Sequence, residues 1–195
     1  MNTSIAGSLE SLDQIMIFIE GLTTTEYQYI ATPLFESSIG QHLRHIVDLY
    51  LALIASSETQ GSKSFSPNIC NINYDIRRRG ACVETDKETG LAELSSIRQW
   101  LNSIAEQDIN KEALVSTEVS LTYQQSEVFK SSFGRELCFA SSHLTHHLAI
   151  MAAIAKMSGK DVDPYLGLAP ATATYTREQD SKITILSAIH PAQAR

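Results

Sequence analysis

The feature that most constrains the fold is the recurrence of apolar residues at helical spacing in four separate stretches of the chain. These stretches run from about residues 5 to 20, 37 to 57, 86 to 106 and 132 to 158. Side chains three and four positions apart share one face of an α-helix, so each stretch would bury one face against its neighbours. Four long helices joined by loops predict an all-α protein, with the architecture of a four-helix bundle.

The segments between the third and fourth helices, and after the second, depart from this pattern. Residues 115–123 alternate apolar and polar side chains, which predicts a strand paired with residues 127–130 in a small β-hairpin. Residues 58–73 are rich in Ser, Gly, Asn and Pro, and predict a surface loop.

Prolines and glycines follow the last predicted helix and indicate an irregular course from residue 160 onwards. We therefore expect one helical domain over residues 1–175 and a C-terminal tail over residues 176–195. The tail is expected to be flexible, or to hold a short strand near residues 183–186.

Composition restricts the classes of partner. The formal net charge of −7 argues against a nucleic-acid partner, because such binding needs clustered Lys and Arg. The short run Arg77–Arg79 stands beside Asp75 and Glu84, and we interpret it as a local donor of salt bridges.

Three cysteines without a CxxC pair fit a reducing compartment. The N-terminus lacks a basic signal-peptide region, and the longest apolar run is too short for a bilayer, so we expect a cytoplasmic protein without a membrane segment.

Five of the six histidines fall in two of the predicted helices. His42 and His45 lie in the second helix, and His143, His146 and His147 lie in the fourth. Histidines four apart on a helix stand one turn apart on one face, so His143 and His147 can aim their imidazoles at one point. A third imidazole from the second helix would complete three nitrogen donors around a divalent metal, with an open position for water or substrate.

The third ligand is a choice between two residues. We favour His45 because it lies deeper in its helix, and His42, one turn nearer the helix start, is the alternative. Imidazole suits zinc and nickel, and also copper and iron, so the ligand type does not select the metal. The HxxxH pair has Leu144 where a zinc peptidase would carry its glutamate, which argues against that class of enzyme.

Two further residues are candidates for proton handling. Glu136 lies seven residues before His143 on the same helical face, and it could orient a ligand imidazole or pair with Arg135. His146 could act as a proton shuttle or lie at the surface. We name both as catalytic candidates.

The two histidine segments, SIGQHLRHIVDLY and SHLTHHLAI, resemble those of the DinB/YfiT-like superfamily, and the likeness extends over roughly residues 5–175. The resemblance implies a four-helix bundle with a divalent metal, most often nickel or zinc, bound here by His45, His143 and His147. One departure is Leu148-Ala149-Ile150, which stands where the family segment has Arg-Gly-Gln.

The resemblance also suggests activities, because the superfamily includes thiol-dependent S-transferases and putative hydrolases. The first hypothesis is therefore a metal-dependent hydrolase or thiol S-transferase acting on a small molecule, for which a thiol is one candidate. The alternative is a non-catalytic metal-binding or ligand-binding protein with a role in stress. In a third hypothesis, the histidines are packed residues of a helical bundle whose role is assembly. Separately, an exposed stripe of residues on the bundle could form a homodimer interface.

Overall fold

The computed structural model describes residues 2–58 and 69–189, with side chains described for residues 2–57 and 69–179. The chain is mostly helical and carries a small sheet. In chain order the elements are α1 (Thr3–Glu20), α2 (Thr24–Gln28), α3 (Ile39–Glu58), β1 (Ile69–Asn73), α4 (Lys87–Ser103), β2 (Glu112–Glu118), β3 (Ser126–Ser132), α5 (Phe133–Met157) and α6 (Pro170–Ile189). Short 3-10 helices precede α4 at Cys82–Glu84 and follow it at Glu106–Asn110.

The four long helices expected from the sequence are α1, α3, α4 and α5. Helix α1 packs against α4 and α5, and α3 packs against the same two helices. Their periodic apolar residues meet in one core, where the fully buried side chains include Leu12, Ile15, Leu43, Ile46, Tyr50, Leu53, Leu94, Ile97, Leu137, Leu144 and Leu148. The packing of α3 against α5 is the contact that positions the site described below.

Polar side chains fix where these helices begin. Ser38 and Gln41 exchange hydrogen bonds between side chain and backbone at the start of α3, as a capping box does. Asp86 caps α4 and Ser132 caps α5. Helix α1 begins two residues earlier than expected, and its cap is Asn2, whose side chain accepts from the backbone N–H of Ser4.

The predicted hairpin is part of a three-stranded sheet. Strands β2 and β3 pair antiparallel, with Val115 opposite Phe129, and β1 pairs parallel with β2 on its other side. The expectation of a loop over residues 58–73 is therefore wrong for Ile69–Asn73. The apolar alternation of this strand covers only Cys70 and Ile72, and its hydrogen-bonding partner β2 is distant in sequence.

The expectation of an irregular C-terminal tail is wrong over Pro170–Ile189, which forms helix α6, and no strand occurs near residues 183–186. Proline is well tolerated in the first turn of a helix, where its missing N–H would have no partner, so Pro170 begins this helix instead of breaking it. Residues 190–195 lie outside the described part of the chain.

Among the described helices, α5 is long and apolar enough to cross a membrane by length and composition alone. Its apolar residues Leu137, Leu144 and Leu148 are fully buried within the protein. A core helix passes the same test, so this property is weak evidence for a membrane segment.

Backbone and ring atoms approach closely at Gly40, in the first turn of α3. A Cβ there would overlap the carbonyl oxygen of Glu84 and the ring of Tyr27. We expect Gly40→Ala to lower the free energy of unfolding by about 1–3 kcal/mol, measured by urea denaturation, because backbone cannot easily move aside. Gly7→Ala is the control: its Cβ meets nothing within 4 Å, so it should stabilise α1 by about 0.5–1 kcal/mol. Equal effects at both positions would contradict this interpretation.

Candidate metal centre

Three histidines converge where α3 packs against α5. His45 projects from α3, and His143 and His147 project from successive turns of α5. Each of them is followed by a fully buried core residue, Ile46, Leu144 and Leu148 respectively. The core therefore fixes the two helix backbones and leaves the three imidazoles half-buried at its edge.

The three imidazoles approach one another through their Nε2 atoms. His143 Nε2 lies 2.9 Å from His45 Nε2 and 3.0 Å from His147 Nε2. One ligand atom from each histidine lies within 4.8 Å of the others. Nitrogens bound to one metal at about 2.0–2.1 Å, with angles between 90° and tetrahedral, stand roughly 2.9–3.4 Å apart. The spacing therefore suits a single shared metal ion.

Hydrogen bonding alone does not satisfy these nitrogens. An imidazole nitrogen offers either one N–H or one lone pair, so His143 Nε2 can make a good hydrogen bond to only one of its two neighbours. The other contact, at about the same distance, is left without a matching proton or a free lone pair. A cation at the common point would use all three lone pairs, and the residues present therefore fit a divalent metal.

Burial keeps the three imidazoles neutral, as a metal requires. It is the main cause that lowers the pKa of His45 to about 4, followed by the charge of Arg77. Burial also lowers the pKa of His147 to about 3, with His143 as the next cause. The pKa of His143 lies below its usual value through burial and then His146.

His42 takes a different position from the one a third ligand would need. Its Nδ1 lies 3.0 Å from Nδ1 of His147, the ring nitrogen that faces away from the cluster. The three-histidine group thus contains His45, and His42 contacts the outer nitrogen of one member, where a ligand imidazole commonly has a hydrogen-bond partner. The three-residue spacing from His45 predicts that His42 lies near the site, but no pattern in the sequence indicates its contact with His147.

The two residues named for proton handling lie in different surroundings. Glu136 is buried and accepts hydrogen bonds from Tyr74, Ser131 and Arg135, and none of the described imidazoles donates to it. His146 is exposed, with its ring centroid 5.4 Å from that of His147 and 6.1 Å from that of His143. The structure therefore brings His146 beside the cluster and leaves Glu136 outside it, and the catalytic role of each remains a prediction.

An aromatic ring covers one side of the cluster. Phe139 stacks on the imidazole of His143 at 5.6 Å between centroids and 29° between planes. The buried side chain of Tyr74 also packs against Phe139, with 5.7 Å between the ring centroids. These contacts limit the rotation of the His143 ring.

The three consecutive arginines have separate roles. Arg78 forms the expected salt bridges, although with Asp48 and Glu93 instead of Asp75 and Glu84. Arg77 instead directs Nη1 towards His45 Nδ1 at 3.3 Å, a contact that the sequence did not suggest. Arg79 forms no salt bridge within the described part of the chain.

A cavity of about 390 Å³ opens beside His45. Its polar wall is formed by Gln41, His42, Arg44, His45, Arg79 and Glu84. Arg44 and Glu84 pair with each other across this wall at 3.0 Å. The space beside His45 is large enough for a small molecule.

The fold and the site thus define a mostly helical protein with a three-histidine group able to hold a metal ion. The sequence model of the DinB superfamily matches residues 10–151, a range that contains all three histidines. The chain belongs to the DinB superfamily, as its motifs suggested. It is also similar to FK506-binding protein 5 of Rhizopus delemar, with 30% identity over 108 residues, which is 55% of this chain and 28% of that protein.

Proposed function

We propose that this protein binds one divalent metal, zinc or nickel, through His45, His143 and His147, and uses it as a metal-dependent enzyme acting on a small molecule. The observation that carries the proposal is the position of His143 Nε2, which lies 2.9 Å from His45 Nε2 on the facing helix and 3.0 Å from His147 Nε2, with one ligand atom of each histidine within 4.8 Å of the others. Three protein ligands leave a coordination position open, as catalytic sites require. The cavity beside His45 provides room for a substrate.

The chemistry that such a metal supplies is a lowered pKa for a bound water or thiol, or polarisation of a carbonyl. Three neutral imidazoles leave the full charge of the ion available for that task. Around it, Phe139 restrains the ring of His143, and His42 contacts the outer nitrogen of His147. The proposal assigns proton transfer between the site and solvent to His146, and its exposed ring beside both ligands on α5 supports that role.

Hydrolysis and thiol S-transfer are the two reactions we propose for this site. They share the activation of a nucleophile and differ in whether that nucleophile is water or a thiolate. The proposal includes a four-helix bundle formed by α1, α3, α4 and α5, a cytoplasmic location and a homodimer as the working assembly.

The test is to compare metal-free protein with protein loaded with one equivalent of zinc or nickel. The assays are hydrolysis of an activated ester, and transfer of a thiol to an electrophilic chloroarene. We expect turnover in one assay that appears with the metal and is lost in His143→Ala. Protein that retains the metal and accelerates neither reaction would contradict the enzymatic part, and would leave a non-catalytic metal-binding protein.

A further inference from the structure

Arg77 contacts His45, a proposed metal ligand, at the ring nitrogen that faces away from the three-histidine group. Its Nη1 lies 3.3 Å from His45 Nδ1, and a guanidinium can only donate hydrogen bonds. His45 Nδ1 therefore accepts in this structure, and the ring proton of the neutral imidazole belongs on Nε2. The usual partner of a ligand histidine is the opposite, an acceptor such as a carboxylate or a carbonyl.

This arrangement is incompatible with coordination by His45 Nε2. A neutral imidazole that gives its Nε2 lone pair to a metal carries its proton on Nδ1. That N–H would face the N–H of Arg77, and two donors cannot form a hydrogen bond. The contact with Arg77 and coordination through His45 Nε2 therefore exclude each other.

The nearby carboxylates of Asp48, Glu84 and Glu93 form salt bridges with arginines other than Arg77. Asp48 accepts from Arg44 and Arg78, and the partners of Arg44 and Arg78 also include Glu84 and Glu93. No carboxylate among the described residues forms a salt bridge with Arg77. A divalent ion with three neutral ligands would add to this positive charge, which favours an anionic group in the ligand that binds beside it.

We propose that Arg77 is the anion-recognising residue of this site: it leaves His45 when the metal binds, and then pairs with an anionic oxygen group, such as a carboxylate, of the small-molecule ligand. Guanidinium and carboxylate match in a two-bond geometry, which gives orientation as well as affinity. The exposure of Arg77 allows the side chain to move. This inference rests on the proposed function, because it needs the metal to be bound at the three histidines.

The first test measures metal affinity by competition with a chromophoric chelator. In Arg77→Gln the guanidinium and its charge are gone, and the amide oxygen can accept a hydrogen bond from the N–H at His45 Nδ1. We expect zinc to bind roughly five- to tenfold more tightly than in the wild type, because coordination by His45 no longer requires the contact with Arg77 to break, and one hydrogen bond to a charged group contributes about that much. Arg79→Gln is the matched control, because it removes the same charge from a residue with no hydrogen bond to His45, and it should change the affinity less than about twofold.

The second test asks which ligand the loaded site prefers. Cobalt-loaded protein is titrated with mercaptoacetate, which carries a thiol and a carboxylate, and with 2-mercaptoethanol, which carries a thiol and a neutral hydroxyl. Binding is followed through the absorption of the cobalt–thiolate bond. We expect the wild type to prefer mercaptoacetate by about tenfold, the energy of one charge-assisted contact. Arg77→Gln should lose that preference, and Arg77→Lys should keep part of it.

The outcomes separate this inference from the function on which it rests. Wild-type protein that binds no metal would overturn both. Metal binding with an Arg77→Gln affinity that is unchanged or weaker, or equally tightened in Arg79→Gln, would overturn only the role of Arg77. A preference for mercaptoacetate that survives in Arg77→Gln would do the same.

Discussion

Replacing His143 with alanine is expected to lower the affinity for a divalent metal by more than about 100-fold, since the loss of a group that only orients a ligand already costs about 10–100-fold. His143 is the central member of the group, and its Nε2 contacts the Nε2 atoms of both His45 and His147. Its removal leaves two imidazoles on different helices. The measurement is a chelator competition with zinc, together with circular dichroism to show that the helix content is retained.

His146→Ala is the matched control for this change. It removes an imidazole three positions further along the same helix, exposed and without a hydrogen bond to the cluster in the described structure. Its metal affinity should stay within about twofold of the wild type, since no ligand and no partner of a ligand is lost. Equal losses in the two variants would show that the metal is held at another place, or that α5 itself is disrupted.

Replacing Asp48 with alanine is expected to lower the free energy of unfolding by about 3–5 kcal/mol, the usual cost of breaking a buried ion pair from one side. Asp48 lies in α3, with its side chain only 2% exposed, and accepts from Nε and the backbone N–H of Arg78 and from Arg44. Its loss leaves two guanidinium groups without their buried partner. Urea denaturation, analysed as a two-state transition, measures the change.

The pair between Asp13 and Arg98 supplies the control. Its distance of 2.8 Å is close to the 2.7 Å of Asp48 and Arg78, but both of its side chains are nearly half exposed. Asp13→Ala should cost less than about 1 kcal/mol, because water and salt screen an exposed pair. If Asp48→Ala were no more destabilising than Asp13→Ala, the buried network would not stabilise the fold as argued here.

The network around Asp48 also connects stability to the site. Arg78 is held between Asp48 and Glu93, and Arg77 is its neighbour in the chain. The ion pairs therefore fix the backbone from which Arg77 reaches His45. Loss of Asp48 is expected to weaken that contact as well.

The long helices were predictable because each carries a strong local signal. Their apolar periods extend over at least four turns, and residues such as Ser38, Asp86 and Ser132 are good caps. The pairing of His143 and His147 could also be predicted from the sequence, because these two residues share a helical face whatever the tertiary structure. The choice of His45 over His42 depended on how α3 is rotated against α5, and the position of His45 deeper in its helix favoured that choice but did not determine it.

Other features depend on contacts between distant parts of the chain. Strand β1 exists because β2 pairs with it, and its own five residues carry little pattern. The contact between Arg77 and His45 arises from the folding of the connection after β1 back onto α3. For α6, the prolines and glycines before it suggested irregular structure, whereas Pro170 stands at the one helical position that tolerates it.

The most direct test of the account is X-ray absorption spectroscopy on zinc-loaded or nickel-loaded protein that contains one metal per chain by elemental analysis. We expect scattering from three imidazole nitrogens at about 2.0–2.1 Å, falling to two in His45→Ala. A spectrum that requires cysteine sulfur, or one unchanged by the loss of His45, would contradict a metal centre built by His45, His143 and His147.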